Sequence, residues 1–131
     1  MASVLVVAGV IERDGRILIA QRRRGARHEL KWEFPGGKVE PGEEPRAALA
    51  RELREELAID AAIGEEMARE QVVYPERTPI DLIFYRVTEF HGEPHNLDFE
   101  QIVWAARPDL ASFDFLEGDL PFVKNLASGA G

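Results

Sequence analysis

Runs of β-branched and other apolar residues alternate with short polar turns in the first quarter of the chain. The apolar runs at residues 3–12 and 16–21 are separated by Asp14 and Gly15, which favour a tight turn. This pattern predicts a hairpin of two antiparallel strands. Residues 22–31 lose the apolar period and predict an exposed loop.

Further strands and one strong helix are predicted beyond this loop. The tripeptide "WEF" predicts a short strand that ends at "PGG". Residues 44–57 are good helix formers with no proline or glycine after Pro45, so they predict a helix. The remaining elements are expected at residues 67–74, 80–90 and 102–106 as strands and at residues 119–127 as a helix.

The polar face of the first predicted helix is unusually acidic. At about 100° per residue, Glu55 lies roughly 60° to one side of Glu52 and Glu56 roughly 40° to the other. Like charges at this spacing cost a few tenths of a kcal/mol each unless a cation compensates them, so a divalent metal ion is one explanation. The alternative is a solvated face paired with Arg51 and Arg54, and charge pattern alone favours it.

Composition narrows the chemistry that such a face could carry. The chain has 131 residues, 45% hydrophobic and 31% charged, which indicates one globular domain. Because there is no cysteine, a bound metal would need carboxylate, carbonyl or histidine ligands, which favours a hard cation. A net charge of −8 argues against duplex nucleic acid as a partner. The longest apolar run, residues 4–11, is too short for a membrane span, so we expect no membrane partner and a cytoplasmic location.

The spacing of residues 37–59 resembles the signature of the Nudix hydrolase family. That signature is Gly, five residues, Glu, seven residues, then Arg-Glu-aliphatic-x-Glu-Glu-x-Gly-aliphatic. Eight positions fit, namely Gly37, Glu43, Arg51, Glu52, Leu53, Glu55, Glu56 and Ile59. Ala58 stands where the family has glycine. The stretches "VVAGVIERDGRILIAQR" and "WEFPGGKVE" and the tryptophan of "IVWA" are similar to the MutT branch, which hydrolyses nucleoside triphosphates.

The resemblance implies an α/β fold, an α/β/α sandwich with a mixed β-sheet and the Nudix loop-helix-loop. It implies a single domain over residues 1–127, with residues 128–131 as a flexible tail. The family glycine sits at the helix end, where a left-handed residue is common. Ala58 could adopt that conformation at a cost of about 1 kcal/mol, or the helix could end in another way.

The resemblance also implies a magnesium site, with Mn²⁺ as a substitute ion. Its implied ligands are Glu52, Glu55, Glu56, the carbonyl of Gly36, and Asp98 with Glu100 as a near alternative. Glu52 and Glu55 are candidates for both ligand and general base, since the base varies among relatives. An ion pair of Glu43 with Arg51, beside Gly37, is expected to hold the loop against the helix. Glu40 and Glu44 are expected to be solvated.

Four further residues are candidates for contacting the substrate. They are Arg22, His28, Phe34 and Asp119. His28 could equally be a surface histidine, and Phe34 could be a core residue. Asp119 stands where MutT relatives read the base, and it could instead cap the last helix.

The function implied is hydrolysis of a (deoxy)nucleoside triphosphate to the monophosphate and pyrophosphate. Its expected role is sanitation of oxidised or modified nucleotides, such as 8-oxo-dGTP or cytidine derivatives. Two alternatives stay open: another Nudix substrate, such as a dinucleoside polyphosphate or nucleotide sugar, and a non-catalytic nucleotide-binding module. A small nucleotide is the expected partner, and the chain is expected to be a monomer or homodimer.

Overall fold

A seven-stranded mixed β-sheet forms the centre of the molecule, seen in a computed structural model that describes residues 3–75 and 77–129. The strands are β1 (Val4–Arg13), β2 (Arg16–Gln21), β3 (Trp32–Glu33), β4 (Gly36–Lys38), β5 (Asp60–Ala62), β6 (Glu66–Val72), β7 (Ile80–Val87), β8 (Glu89–His91) and β9 (Gln101–Ala106). The helices are α1 (Pro45–Leu57) and α2 (Leu120–Ala127), with short 3₁₀ helices at Arg107–Ser112 and Glu117–Asp119.

β1 is the central strand of this sheet. It runs parallel to β7 and antiparallel to both β2 and β4. β2 also pairs with β3 and β9, and β7 pairs with β6, which gives the order β3-β2-β1-β7-β6 with β4 beside β1 and β9 beside β2. β5 and β8 form a separate two-stranded sheet. The predicted mixed sheet is confirmed.

The two faces of β1 pack against different helices because successive side chains of a strand point in opposite directions. Val7 and Ile11 belong to the core that contains Leu49, Leu53 and Leu57 of α1. Ala8 and Val10 belong to the core that contains Phe122 and its neighbours on α2. The sheet therefore lies between the two helices, as an α/β/α sandwich requires.

The caps of α1 correct one expectation and decide another. Glu44 is not merely solvated, because its carboxylate accepts a hydrogen bond from Ala47 N at 3.0 Å and caps the helix. At the other end, Ala58 is left-handed, with φ 59° and ψ 33°, and its N–H bonds to Arg54 O at 3.1 Å. Ala58 thus takes the conformation of the family glycine.

The short strands β4 and β5 were not predicted, and β8 was predicted only as the end of one continuous strand over residues 80–90. Each has three residues and is held by pairing with a segment distant in sequence. In the expected tail, Ser128 N and Gly129 N bond to carbonyls of α2, whereas residues 130 and 131 lie outside the described residues. In the ranges that the structure describes, no helix is long and apolar enough to cross a membrane.

Candidate active site

A cavity of about 240 Å³ lies where α1, the central strands and three loops meet. The charged residues that line it are Arg22, Glu33, Lys38, Glu56, Asp98 and Asp119. A wider basin of about 850 Å³ adjoins it, shares Arg22 and Tyr74 with it, and adds Arg27, His28 and Arg77. The site thus has an acidic inner part and a largely cationic outer part.

Glu56 places a buried carboxyl group at the inner end of α1. It is 9% exposed, and its Oε1 accepts a hydrogen bond from Gly36 N at 3.1 Å. Burial raises the pKa of Glu56 to about 9, and the negative charges of Glu52, Glu33 and Asp98 add to that rise. A Cβ on Gly36 would lie 1.9 Å from the carbonyl oxygen of Val7, so only glycine lets this loop approach β1.

Glu52 and Glu55 lie further out on the same helix. The carboxyl group of Glu52 packs directly on Gly37, where an added Cβ would lie 2.5 Å from Glu52 Cδ. Burial raises the pKa of Glu52, and Arg51 opposes this rise. Glu55 is 57% exposed at its side chain. The three glutamates therefore form a graded series from a buried to a solvated carboxylate.

Arg51 uses all five of its N–H donors within the loop-helix-loop. Nε and Nη2 bind the two carboxylate oxygens of Glu43 at 2.9 and 3.0 Å, and Nη2 also binds Lys38 O at 3.2 Å. Nη1 binds Oε1 of Glu52 and Oε1 of Glu55, each at 2.9 Å. The bond from Arg51 lowers the pKa of Glu43 to about 2. The expected contact between Glu43 and Arg51 is present, and it ties the loop to α1.

The residues around Glu56 have the chemistry to bind a divalent cation. Their donors are all carboxylate or carbonyl oxygens, the ligands that Mg²⁺ prefers, and the buried Glu56 lies among other negative charges. Within residues 3–75 and 77–129, however, no three acidic or histidine side chains are already arranged as a metal site. Arg51 Nη1 binds Oε1 of Glu52 and Oε1 of Glu55, so one oxygen of each of these carboxylates already has a cationic partner within the chain.

Asp98 and Glu100 occupy different surroundings. Asp98 lines the cavity together with Glu56, and Arg23 Nε fixes its loop by donating to Asp98 O at 2.9 Å. Glu100 Oε1 instead accepts a bond from Arg24 N at 3.1 Å, outside the cavity lining. The geometry favours Asp98 as the fourth carboxylate, and its role as a ligand stays a prediction.

Glu33 is a charged residue of the cavity that the sequence analysis missed. Arg22 Nη1 lies 3.3 Å from each of its carboxylate oxygens. Burial raises the pKa of Glu33, and Arg22 partly offsets that rise. The available signal was its position in "WEF", between two buried aromatic residues and three residues before Gly36.

Asp119 lines the same cavity as Glu56 and comes from the short 3₁₀ helix before α2. It is 5% exposed, lines the cavity and makes no capping hydrogen bond to α2, so the helix-cap alternative is not supported. Burial raises the pKa of Asp119 to about 8, and the charge of Glu33 adds to this. An acid that faces a cavity without a protein partner is suited to bind a ligand group.

The aromatic candidates divide between core and rim. Phe34 is 3% exposed and stacks on Phe115 with ring centroids 5.3 Å apart, so it is mainly a core residue that also lines the cavity. His28 lines the outer basin, and its ring lies 5.5 Å from that of Tyr74. Tyr74 lines both spaces and was missed, because its segment was interpreted only as the end of a strand.

Comparison with known proteins gives concordant results. The family model described as NUDIX domain matches residues 1–126. The chain is 41% identical to the CTP pyrophosphohydrolase of Escherichia coli over 124 residues, which cover 95% of this chain and 91% of that protein. It is 36% identical to the 8-oxo-dGTP diphosphatase of Haemophilus influenzae over 124 residues, 94% of this chain and 90% of that protein. The solution structure of the E. coli ORF135 protein superposes with a TM-score of 0.87 at 40% identity, covering 98% and 91% of the two chains.

Proposed function

Since the chain belongs to the Nudix family, we propose that it hydrolyses nucleoside triphosphates to the monophosphate and pyrophosphate with a bound Mg²⁺ ion, for which Mn²⁺ can substitute. The observation that carries this proposal is the buried carboxyl group of Glu56 in a small cavity that Asp119 also lines. The part of the cavity around Glu56, the metal end, suits a metal-bound polyphosphate, and the part around Asp119, the base end, suits a nucleobase.

The metal end has a defined division of labour under this proposal. Glu56, Asp98 and the Gly36 carbonyl would hold the ion, together with Glu52 or Glu55. A bound divalent ion supplies charge stabilisation at the phosphoryl oxygens and a water of lowered pKa. Glu52 or Glu55, whichever is free of the ion, takes the proton of the attacking water.

Arg51 and Arg22 position groups without reacting themselves. Arg51 fixes Oε1 of Glu52 and of Glu55 and so limits the directions in which their second oxygens can point. Arg22 and Lys38 line the passage between the cavity and the outer basin, where their positive charges would attract the phosphates. These cations explain how a chain with a net charge of −8 can bind a polyanion.

The base end supports cytidine or oxidised guanine nucleotides as substrates. An ionised Asp119 accepts hydrogen bonds and suits the exocyclic amine of cytosine. A protonated Asp119 both donates and accepts, which also suits an oxidised guanine. The names of the two relatives, a CTP pyrophosphohydrolase and an 8-oxo-dGTP diphosphatase, support the same two classes. We propose sanitation of modified nucleotides in the cytoplasm, by a monomer or homodimer, as its role.

The outer basin favours one second candidate. Its volume of about 850 Å³ and its added cations Arg27 and Arg77 would accommodate a larger anionic substrate, such as a dinucleoside polyphosphate. A non-catalytic module has less support, because every glutamate of the family signature is present, namely Glu43, Glu52, Glu55 and Glu56.

A panel of nucleotides incubated with Mg²⁺, with products separated by chromatography, tests the proposal. The expected result is monophosphate plus pyrophosphate from a triphosphate, and no product in excess chelator. Release of inorganic phosphate with a nucleoside diphosphate, or turnover of dinucleoside polyphosphates alone, would contradict it.

A further inference from the structure

Asp119 is a buried carboxyl group that faces the cavity without a protein partner. It is only 5% exposed, and its side chain makes no hydrogen bond within the part of the chain that the structure describes. Its backbone is fixed by a bond from Asp119 N to Leu116 O at 3.0 Å. Burying the carboxyl group of Asp119 without a protein partner costs free energy, which a hydrogen-bonding ligand in the cavity would offset.

Glu33 supplies a second carboxyl group to the same cavity, and Arg22 neutralises its negative charge only in part. Arg22 approaches it at 3.3 Å through a single nitrogen, while Arg22 Nε is committed to Arg27 O at 2.6 Å. The negative charge of Glu33 also acts on Asp119. Two carboxyl groups thus share a small space in which one guanidinium is divided between two partners.

The walls around Asp119 are apolar and aromatic. Phe34, Leu82, Val72 and Tyr74 line the cavity. Gly118 allows its backbone to pack closely against Val72, because a Cβ there would lie 2.7 Å from Val72 Cγ2. Carboxyl groups set among aromatic faces form an environment that stabilises an organic cation by charge and by cation–π attraction.

We propose that this cavity selects nucleotides whose base is a fixed cation, as produced by alkylation of a ring nitrogen. The proposal rests on the proposed function, because it names a substrate class for the same site. A neutral base supplies no charge to offset an ionised Asp119 in an apolar wall, so Asp119 stays protonated beside it. A cationic base stabilises the ionised carboxylate and also supplies N–H donors. The 3-methylcytosine cation offers its amine, and the 7-methylguanine cation offers N1–H and N2–H.

Binding of nucleoside monophosphates without metal separates this recognition from catalysis. The base of 3-methyl-CMP is a cation near neutral pH and the base of 5-methyl-CMP is neutral, and the two nucleotides have the same number of non-hydrogen atoms and one methyl group each. We expect calorimetry to show at least about tenfold tighter binding of 3-methyl-CMP to the full chain. The same preference is expected for 7-methyl-GMP over GMP.

Three substitutions locate the source of the preference. Asp119→Asn and Glu33→Gln should each reduce the affinity ratio to within about threefold of unity. Glu117→Gln removes one charge from an exposed position two residues from Asp119, so it should keep the ratio. Melting curves of each variant show whether a lost preference reflects a lost fold, and the wild-type ratio decides the question if one variant does not fold.

Equal affinity for the two methylated nucleotides overturns the inference, and so does a preference that survives both cavity substitutions. Turnover of triphosphates by the same preparation with Mg²⁺ is measured in parallel. Absence of any turnover would overturn the proposed function, whatever the affinities are, so the two failures are distinguishable.

Discussion

The two ends of the cavity handle their negative charge in opposite ways. At the metal end, Arg51 binds Glu43, Glu52 and Glu55 through four of its five N–H donors, and only Glu56 is deeply buried. At the base end, Asp119 is buried without a cation of its own. The outer glutamates of the metal end are therefore compensated within the chain before any ligand arrives, whereas the buried Glu56 and the base end are not.

This difference indicates where each end obtains its specificity. At the metal end, a bound metal ion would take over carboxylates whose charge Arg51 compensates in its absence. Arg51 therefore binds only one oxygen of Glu52 and one of Glu55, which leaves their second oxygens available. A base site must distinguish between similar rings, so its polar group is held rigidly in an apolar wall, where a mismatch is costly. Stability and turnover should respond differently to changes at the two ends.

The largest expected effect is on turnover at the metal end. Glu56→Gln keeps an acceptor for Gly36 N but removes the charge, so kcat/KM should fall by about 10³-fold or more with little change in fold. Steady-state kinetics and circular dichroism check both parts. Glu89→Gln, at an exposed position on β8, is the matched control. Unchanged turnover, or full activity in excess chelator, would contradict the metal mechanism.

The second effect is on stability at the base end. The pKa of Asp119 is raised to about 8, so the folded protein keeps a proton that the unfolded chain releases near pH 4. The contribution of Asp119 to stability is therefore greatest below pH 4 and declines as the pH rises to about 8. Asp119→Asn should remove this decline, so its stability relative to the wild type should rise by about 5 kcal/mol between pH 4 and pH 8.

Chemical denaturation of both proteins at several pH values measures that difference. Glu117→Gln serves as the control for a general loss of negative charge. A constant difference between wild type and Asp119→Asn from pH 4 to pH 8 would show that burial does not perturb this carboxyl group.

A smaller effect concerns the fourth carboxylate. Because Asp98 lines the cavity and Glu100 does not, Asp98→Ala should raise the Mg²⁺ concentration for half-maximal activity about tenfold. Glu100→Ala should leave it within about twofold. Activity against Mg²⁺ concentration measures both. A change confined to Glu100→Ala would show that Glu100 is the ligand.

The smallest effect lies at the end of α1, away from both ends of the cavity. Ala58 has φ 59°, a left-handed conformation that disfavours a side chain. Ala58→Gly relieves that strain but makes the unfolded chain more flexible, so we expect a gain of at most about 1 kcal/mol. Thermal melting detects it, and destabilisation would contradict the strain argument.

The metal end could be predicted from sequence because its residues lie in one continuous segment. Helical periodicity alone placed Glu52, Glu55 and Glu56 on one face, and the resemblance supplied their chemistry. The bonds from Arg51 to Glu52 and Glu55 could not be predicted, because they depend on side-chain rotamers.

The base end was predicted less completely because it is assembled from distant segments. Asp119 came from the family resemblance, whereas Glu33 and Tyr74 have no spacing that links them to it. The short strand β4 was missed for a related reason, since Gly36 and Gly37 have low strand propensity and are held there by pairing with β1. The sandwich itself was implied by the family resemblance, and the apolar periods of the longer strands and of both helices were compatible with it.

The most direct test of the account compares kcat/KM for CTP and GTP in the wild type, Glu56→Gln and Asp119→Asn across a range of Mg²⁺ concentrations. The account predicts that Glu56→Gln lowers both values by a similar factor and leaves their ratio unchanged. Asp119→Asn should change the ratio about tenfold without altering the Mg²⁺ requirement. An unchanged ratio in Asp119→Asn, or a shifted ratio in Glu56→Gln, would contradict the division of the cavity into a metal end and a base end.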